Sequence, residues 1–161
     1  MGSQRMSPLA WWRMKGLHLV CLCASLALAP PALALRILEN LGPQPTLAGV
    51  SLSCGGIKTY VADIGDVAMA ERGRLLLSQA FFELPAPVQW FVYSHECAHQ
   101  RVGGNEGAAD CLAVQRGREQ GFLDVQALEA ICAYVSPLPE DRTHLGGPQR
   151  CERIRSCFAR P

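Results

Sequence analysis

The strongest constraint on this chain lies between His95 and Asp110. The residues run His95-Glu96-Cys97-Ala98-His99, then Gln-Arg-Val-Gly-Gly-Asn, then Glu106-Gly-Ala-Ala-Asp110. Side chains four residues apart share a face of an α-helix, so a helix through this segment turns both imidazoles to one side. The Gly103-Gly104 pair supplies the chain reversal after it, because glycine adopts the left-handed conformation without a Cβ clash. Asn105 then caps a second helix that begins at Glu106 and carries Asp110 one turn further along the same face. Both carboxylates can then look back at the two imidazoles.

That arrangement has a specific chemistry. H-E-x-x-H on a helix is a zinc metalloprotease signature, in which the two histidines bind the metal and the glutamate is the general base. Catalytic zinc takes three protein ligands and keeps one position open for water. His95 and His99 supply two, and both Glu106 and Asp110 are placed to supply the third. Glu96 follows the first ligand and points to the side of the ion, where it can accept a proton from water.

The N-terminus reads as an address. Arg5, Arg13 and Lys15 precede an apolar run from Gly16 to Ala29, Pro30-Pro31 break it, and Ala32-Leu33-Ala34 has the form of a signal-peptidase site. Residues 1–34 are therefore expected to be a signal peptide, removed to leave residues 35–161 as one domain, with Met14 as an alternative translation start. An uncleaved anchor is the competing reading, since Gly16 to Leu35 is just long enough to span a bilayer. Cleavage removes three basic and no acidic residues, which leaves 12 Lys+Arg against 14 Asp+Glu, a net −2. No basic stripe is present, which argues against nucleic acid as a partner, and no stable membrane span is expected after cleavage. The expected location is the periplasm or the exterior.

Cysteine usage agrees with export. Cys21 and Cys23 leave with the signal, and Cys54, Cys97, Cys111, Cys132, Cys151 and Cys157 remain. An even set in a small exported domain favours disulfides, with a connectivity that sequence cannot choose. Cys97, beside the histidines, is expected to be bridged, with Cys111 on the neighbouring helix as a candidate partner, rather than to act as a nucleophile.

The expected fold class is α+β. Leu35 to Val50, with Gly42-Pro43 and Pro45, reads as an irregular or partly helical lead-in. Ile57–Ala62 alternates and is rich in β-branched residues, as a strand requires, and Arg74–Ser78 suits a second strand. Pro85-Ala86-Pro87 opens a helix whose apolar positions Val88, Phe91, Val92, Ala98 and Val102 repeat at helical spacing around His95. Glu106–Glu119 is a second helix, stopped by Gly121. A third follows the Asp124 cap, with Val125, Leu128, Cys132 and Val135 on its buried face, and Pro148–Phe158 forms a last one.

These residues carry a family resemblance. Arg74-Leu-Leu-Leu-Ser, Phe81-Phe82, Leu84-Pro85 and Phe91-Val-Tyr-Ser-His95-Glu-Cys-Ala-His99 resemble the strand-then-active-helix core of gluzincin metallopeptidases. Glu106-x-x-Ala109-Asp110 is similar to the E-x-x-A-D segment of the HtpX-like and CAAX-prenyl-protease group. The resemblance covers residues 73 to 155. It implies a minimal zincin-like domain, with a small antiparallel or mixed sheet packed on the HExxH helix and three further helices. It implies Zn2+ held by His95, His99 and Glu106, with Asp110 beside them as a supporting carboxylate or alternative ligand, and Glu96 as general base. Thr143-His144 with Arg150 is similar to a His-Pro...Arg segment of the group, which implies that His144 steadies a developing oxyanion. Leu145 stands where the group has proline, and only six residues separate His99 from Glu106, fewer than the group usually has. Without the resemblance, His144 reads equally well as an exposed loop histidine.

Two functions from different classes follow. One is an exported zinc metalloendopeptidase acting on a peptide or protein substrate. The other is a non-catalytic, disulfide-stapled zinc-binding or partner-binding module of the cell envelope. Glu96 favours the first, because a purely structural site has no use for a carboxylate that does not ligate metal. Sequence leaves substrate and oligomeric state open. Alkylation and mass spectrometry of the exported protein should find its six remaining cysteines without free thiols; six alkylated cysteines would contradict the export reading.

Overall fold

The computed structural model describes residues 35–160, so the signal peptide expected over 1–34 lies outside the described residues. The fold is α+β. Strands β1 (Arg36–Gly42), β2 (Thr46–Leu47), β3 (Val50–Ser51), β4 (Lys58–Asp63), β5 (Ala68–Glu71) and β6 (Arg74–Leu77) come first. A 3-10 turn (Gln79–Glu83) leads into α1 (Ala86–Val102), α2 (Glu106–Glu119), α3 (Val125–Val135) and α4 (Gly147–Phe158). The main sheet has the order β1-β4-β6-β5, and β2 and β3 form a separate two-stranded ribbon. Only the β4–β6 pair is parallel; β1–β4 and β5–β6 are antiparallel.

The helix that carries both histidines is also the wall between two cores. One side buries Tyr93 and Cys97 with Leu75, Leu77, Phe81, Leu47 and Leu52 from the sheet side. The other buries Phe91 with Ala113, Val114, Leu128, Ile131 and Ile154 from the remaining helices. A helix buried on two sides has little freedom to rotate, so its histidines are held in azimuth by packing on both flanks. Its start is pinned by polar bonds as well. Gln89 Nε2 donates to Leu84 O at 2.8 Å, and Trp90 Nε1 donates to Leu47 O at 2.8 Å. Beneath it, the Tyr93 and Thr59 hydroxyls face each other at 3.4 Å inside the core.

Three expectations from the sequence need correction. The Leu35–Val50 segment is not irregular but supplies β1, β2 and part of β3. The first five residues of β1 are exposed, so no apolar alternation marks it; its backbone ladder with β4, interrupted by two register shifts, holds it in place. Val125 does not face the core: it is 65% exposed in the first turn of α3, and Ala127 and Ile131 join Leu128, Cys132 and Val135 on the buried face instead. Cys97 bonds to Cys54, not to Cys111, because Cys97 lies on the sheet-facing side of α1 while Cys111 faces Cys157 on α4. Cys132–Cys151 is the third disulfide.

Three disulfides suit an oxidising compartment outside the cytoplasm. Among the described residues no helix is long and apolar enough to cross a membrane. The caps expected at Asn105 and Asp124 are present, accepting from the amides of Ala108 and Ala127 at 3.0 and 2.8 Å.

The α3–α4 junction is tight enough to test. Gly147 donates its amide to Leu138 O at 2.9 Å, and a Cβ at position 147 would lie 2.2 Å from Val135 O and 2.3 Å from Ser136 O. Backbone atoms cannot swing aside as a side chain can. Gly147→Ala should therefore destabilise the fold by about 1–3 kcal/mol, the usual cost of overpacking, as read from a denaturant midpoint. An unchanged midpoint would show that the junction accommodates a methyl group.

Candidate metal centre

Three donor atoms converge where α1 meets α2. His95 Nε2 lies 2.9 Å from His99 Nε2, and Glu106 Oε2 lies 3.1 Å from the first and 3.4 Å from the second. Two come from successive turns of α1 and one from the first residue of α2, across the Gly103-Gly104 reversal. Donors bound tetrahedrally at the usual zinc distances stand about 3.3 Å from one another. The observed triangle matches that size. His95, His99 and Glu106 are thus a group that can hold a metal ion.

The outer bonds fix which nitrogen faces the centre. His99 Nδ1 lies 2.5 Å from Gly103 O, and His95 Nδ1 lies 2.8 Å from Asp110 Oδ1. A carbonyl oxygen can only accept, and a carboxylate accepts when ionised, so both Nδ1 atoms carry hydrogen and both Nε2 lone pairs point inward. Glu106 Oε2 is buried there, within 3.4 Å of both inward nitrogens. Electron pairs facing each other at this range repel unless a cation or a proton lies among them. The donor set therefore fits a divalent ion.

Asp110 stands behind His95, where it touches the outward nitrogen. It is itself gripped by Arg150 of α4, whose Nε and Nη2 donate to its two oxygens at 2.9 and 2.8 Å. The structure thus separates the two acidic residues: Glu106 is at the centre, and Asp110 is one layer out. His144, in the loop between α3 and α4, places Nε2 2.9 Å from Glu106 Oε2. Asp141 lies 3.1 Å from its Nδ1 and accepts its backbone amide at 2.8 Å. His144 does not belong to the compact three-atom group, so its imidazole is a neighbour of the centre on the Glu106 side.

Electrostatics follow from these contacts. Burial pulls the His95 pKa down, but hydrogen bonding to Asp110 and Glu106 outweighs burial and raises it to about 9. Burial pushes the Glu106 and Asp110 carboxyls up, yet His95 draws both below their ordinary values, helped by His144 and His99 for Glu106 and by Arg150 for Asp110. Glu96 goes the other way. Burial raises it, and the charges of His95 and His99 and the Ala70 amide offset that only in part.

The centre opens into a cleft of about 820 Å3. Its floor is α1, with Glu96 and Gln100 beside the histidines; one wall is β5 and the other is the end of α3 with the 138–145 loop. The Arg74–Leu77 strand is interior: β6 lies between β4 and β5, and the edge strand at the cleft is β5. Gln100 ties that edge to α1, donating to Glu71 O at 2.7 Å and accepting from the Gly73 amide at 3.2 Å. Sequence reasoning missed β5, Gln100 and Asp141. The turn glycine at Gly73, between Glu71 and Arg74, was the available signal for a β5–β6 hairpin.

Comparison with protein-family models, with curated proteins and with solved structures found no match to this chain. The reading of the centre therefore rests on its own geometry.

Glu106→Ala and Asp110→Ala should separate in a zinc titration. Loss of Asp110, which only orients His95, should weaken binding about 10–100-fold, whereas loss of Glu106 removes a donor and should cost considerably more. If Asp110→Ala is the more damaging of the two, their roles must be exchanged.

Proposed function

We propose that this chain is an exported zinc metallopeptidase that hydrolyses peptide bonds, working in the periplasm or outside the cell. One observation carries the reading: Glu96 lies in the cleft beside a three-donor centre without being one of the donors. A site that served only to join two helices would gain nothing from a half-buried, non-ligating carboxylate.

Zinc bound there would polarise the scissile carbonyl and bring the pKa of water close to neutral. The remaining steps belong to the chain. Glu96 accepts the proton of the attacking water and returns it to the departing amine. The Ala70 amide holds its carboxylate in the cleft, while burial beside α1 raises its pKa, which suits a group that must hold a proton between two steps. His144, oriented through Nδ1 by Asp141, offers Nε2–H toward the side of the centre where negative charge develops on the carbonyl oxygen. The free edge of β5 can pair with an extended peptide backbone lying along the cleft.

Glu96→Gln keeps the shape and every donor but cannot accept a proton. It should bind zinc as the wild type does and lose about 100-fold to 10,000-fold in kcat/KM on a mixed peptide library. If zinc-loaded wild type and variant show the same rate, or none, the reading that remains is the disulfide-stapled zinc module.

A further inference from the structure

Two of the three disulfides converge on one helix, and that helix carries a residue of the site. In α4 the buried residues are Gly147, Cys151, Ile154 and Cys157, so half of its buried set is cystine. Cys157 joins α4 to Cys111 on α2, and Cys151 joins it to Cys132 on α3. Its packing is chiefly against those same two helices. Its other ties are few: an exposed Arg155–Glu129 pair, the Arg118 bond to Phe158 O, the Gly147 amide bond, and Arg150–Asp110. Ile154 is its only large fully buried aliphatic side chain.

The two cystines also sit against the site in sequence. Cys111 follows Asp110, and Cys151 follows Arg150. The 136–146 loop that presents His144 ends on α4. By contrast, His95, His99 and Glu106 lie on α1 and α2, which pack extensively on each other without α4.

We propose that α4 is an oxidation-dependent latch. With both cystines formed, it holds Arg150 on Asp110 and anchors the His144 loop. With both reduced, α4 undocks while the α1–α2 donor triangle persists in weakened form. The inference rests on the reading of the triangle as a metal site and adds its regulation: the site is completed only where disulfides form. In the switching step each cystine takes two electrons and two protons from an external dithiol, which leaves as its own disulfide, and two cysteine thiols result.

The test uses the full chain without its signal segment, in wild-type form under increasing dithiothreitol and as two double variants. These are Cys111→Ser with Cys157→Ser, and Cys132→Ser with Cys151→Ser. Hydrogen exchange should show protection of residues 147–158 falling at least about 10-fold in each, with residues 86–119 still protected. Zinc affinity, measured by chelator competition, should fall about 10–100-fold and recover on reoxidation of the wild type. Arg150→Gln in the oxidised protein should reproduce the affinity loss with α4 still protected. Cys54→Ser with Cys97→Ser should leave α4 protected. Unchanged protection of 147–158 on reduction would overturn the latch, as would loss of protection across 86–119 at the same reductant concentration. None of these readouts uses peptide cleavage, so a protein with no peptidase activity could still prove latched. A protein that binds no zinc would sink the metal reading while hydrogen exchange still decided the latch.

Discussion

A buried carboxylate holds this structure together at its functional end. Asp110 is 2% exposed and touches His95 on one side and Arg150 on the other. Removing an ionised carboxylate from water is costly unless its partners replace the lost hydration, and here a bidentate guanidinium and an imidazole do so. Asp110, His95 and Arg150 belong to α2, α1 and α4 respectively. Because burying the charge is costly when either partner is lost, the carboxylate couples the placement of three helices, and the ring orientation of His95 follows from it.

The same logic applies to the turn that joins α1 to α2. Gly103 has φ 60° and ψ −142°, a conformation closed to residues with a Cβ, and its carbonyl lies over His99 Nδ1. The glycine pair therefore does more than reverse the chain. It places the acceptor that sets the His99 tautomer, and it delivers Glu106 in the next turn at donor distance from both histidines.

What was legible in the sequence divides along the range of the forces involved. The α2 bounds, the Asn105 and Asp124 caps, and β4 and β6 were readable because caps, periodicity and β-branched runs act within a few residues. β1 was not, since its exposed residues leave no pattern and only the distant β4 ladder makes it a strand. The disulfide partner of Cys97 was not legible either; it depends on which side of α1 meets the sheet. At the site, the spacing of His95 and His99 put both on one face by helix geometry alone, whereas the Asp141 contact to His144 arises in a loop with no period to read.

Charge balance at the centre explains why the fold tolerates so many ionisable groups in one place. Glu96, Glu106 and Asp110 crowd around two imidazoles whose inward nitrogens are both acceptors when neutral. Left alone, this cluster takes up a proton, which is why the His95 pKa rises to about 9 despite burial. A divalent ion satisfies the same excess of electron pairs with two charges instead of one. Proton and metal therefore compete for one space, and binding the ion must expel the proton. The arrangement that makes the metal-free protein basic at His95 is thus the one that makes it receptive to a cation. The carboxylate least compensated in that competition is Glu96, the only one of the three whose pKa is raised rather than lowered.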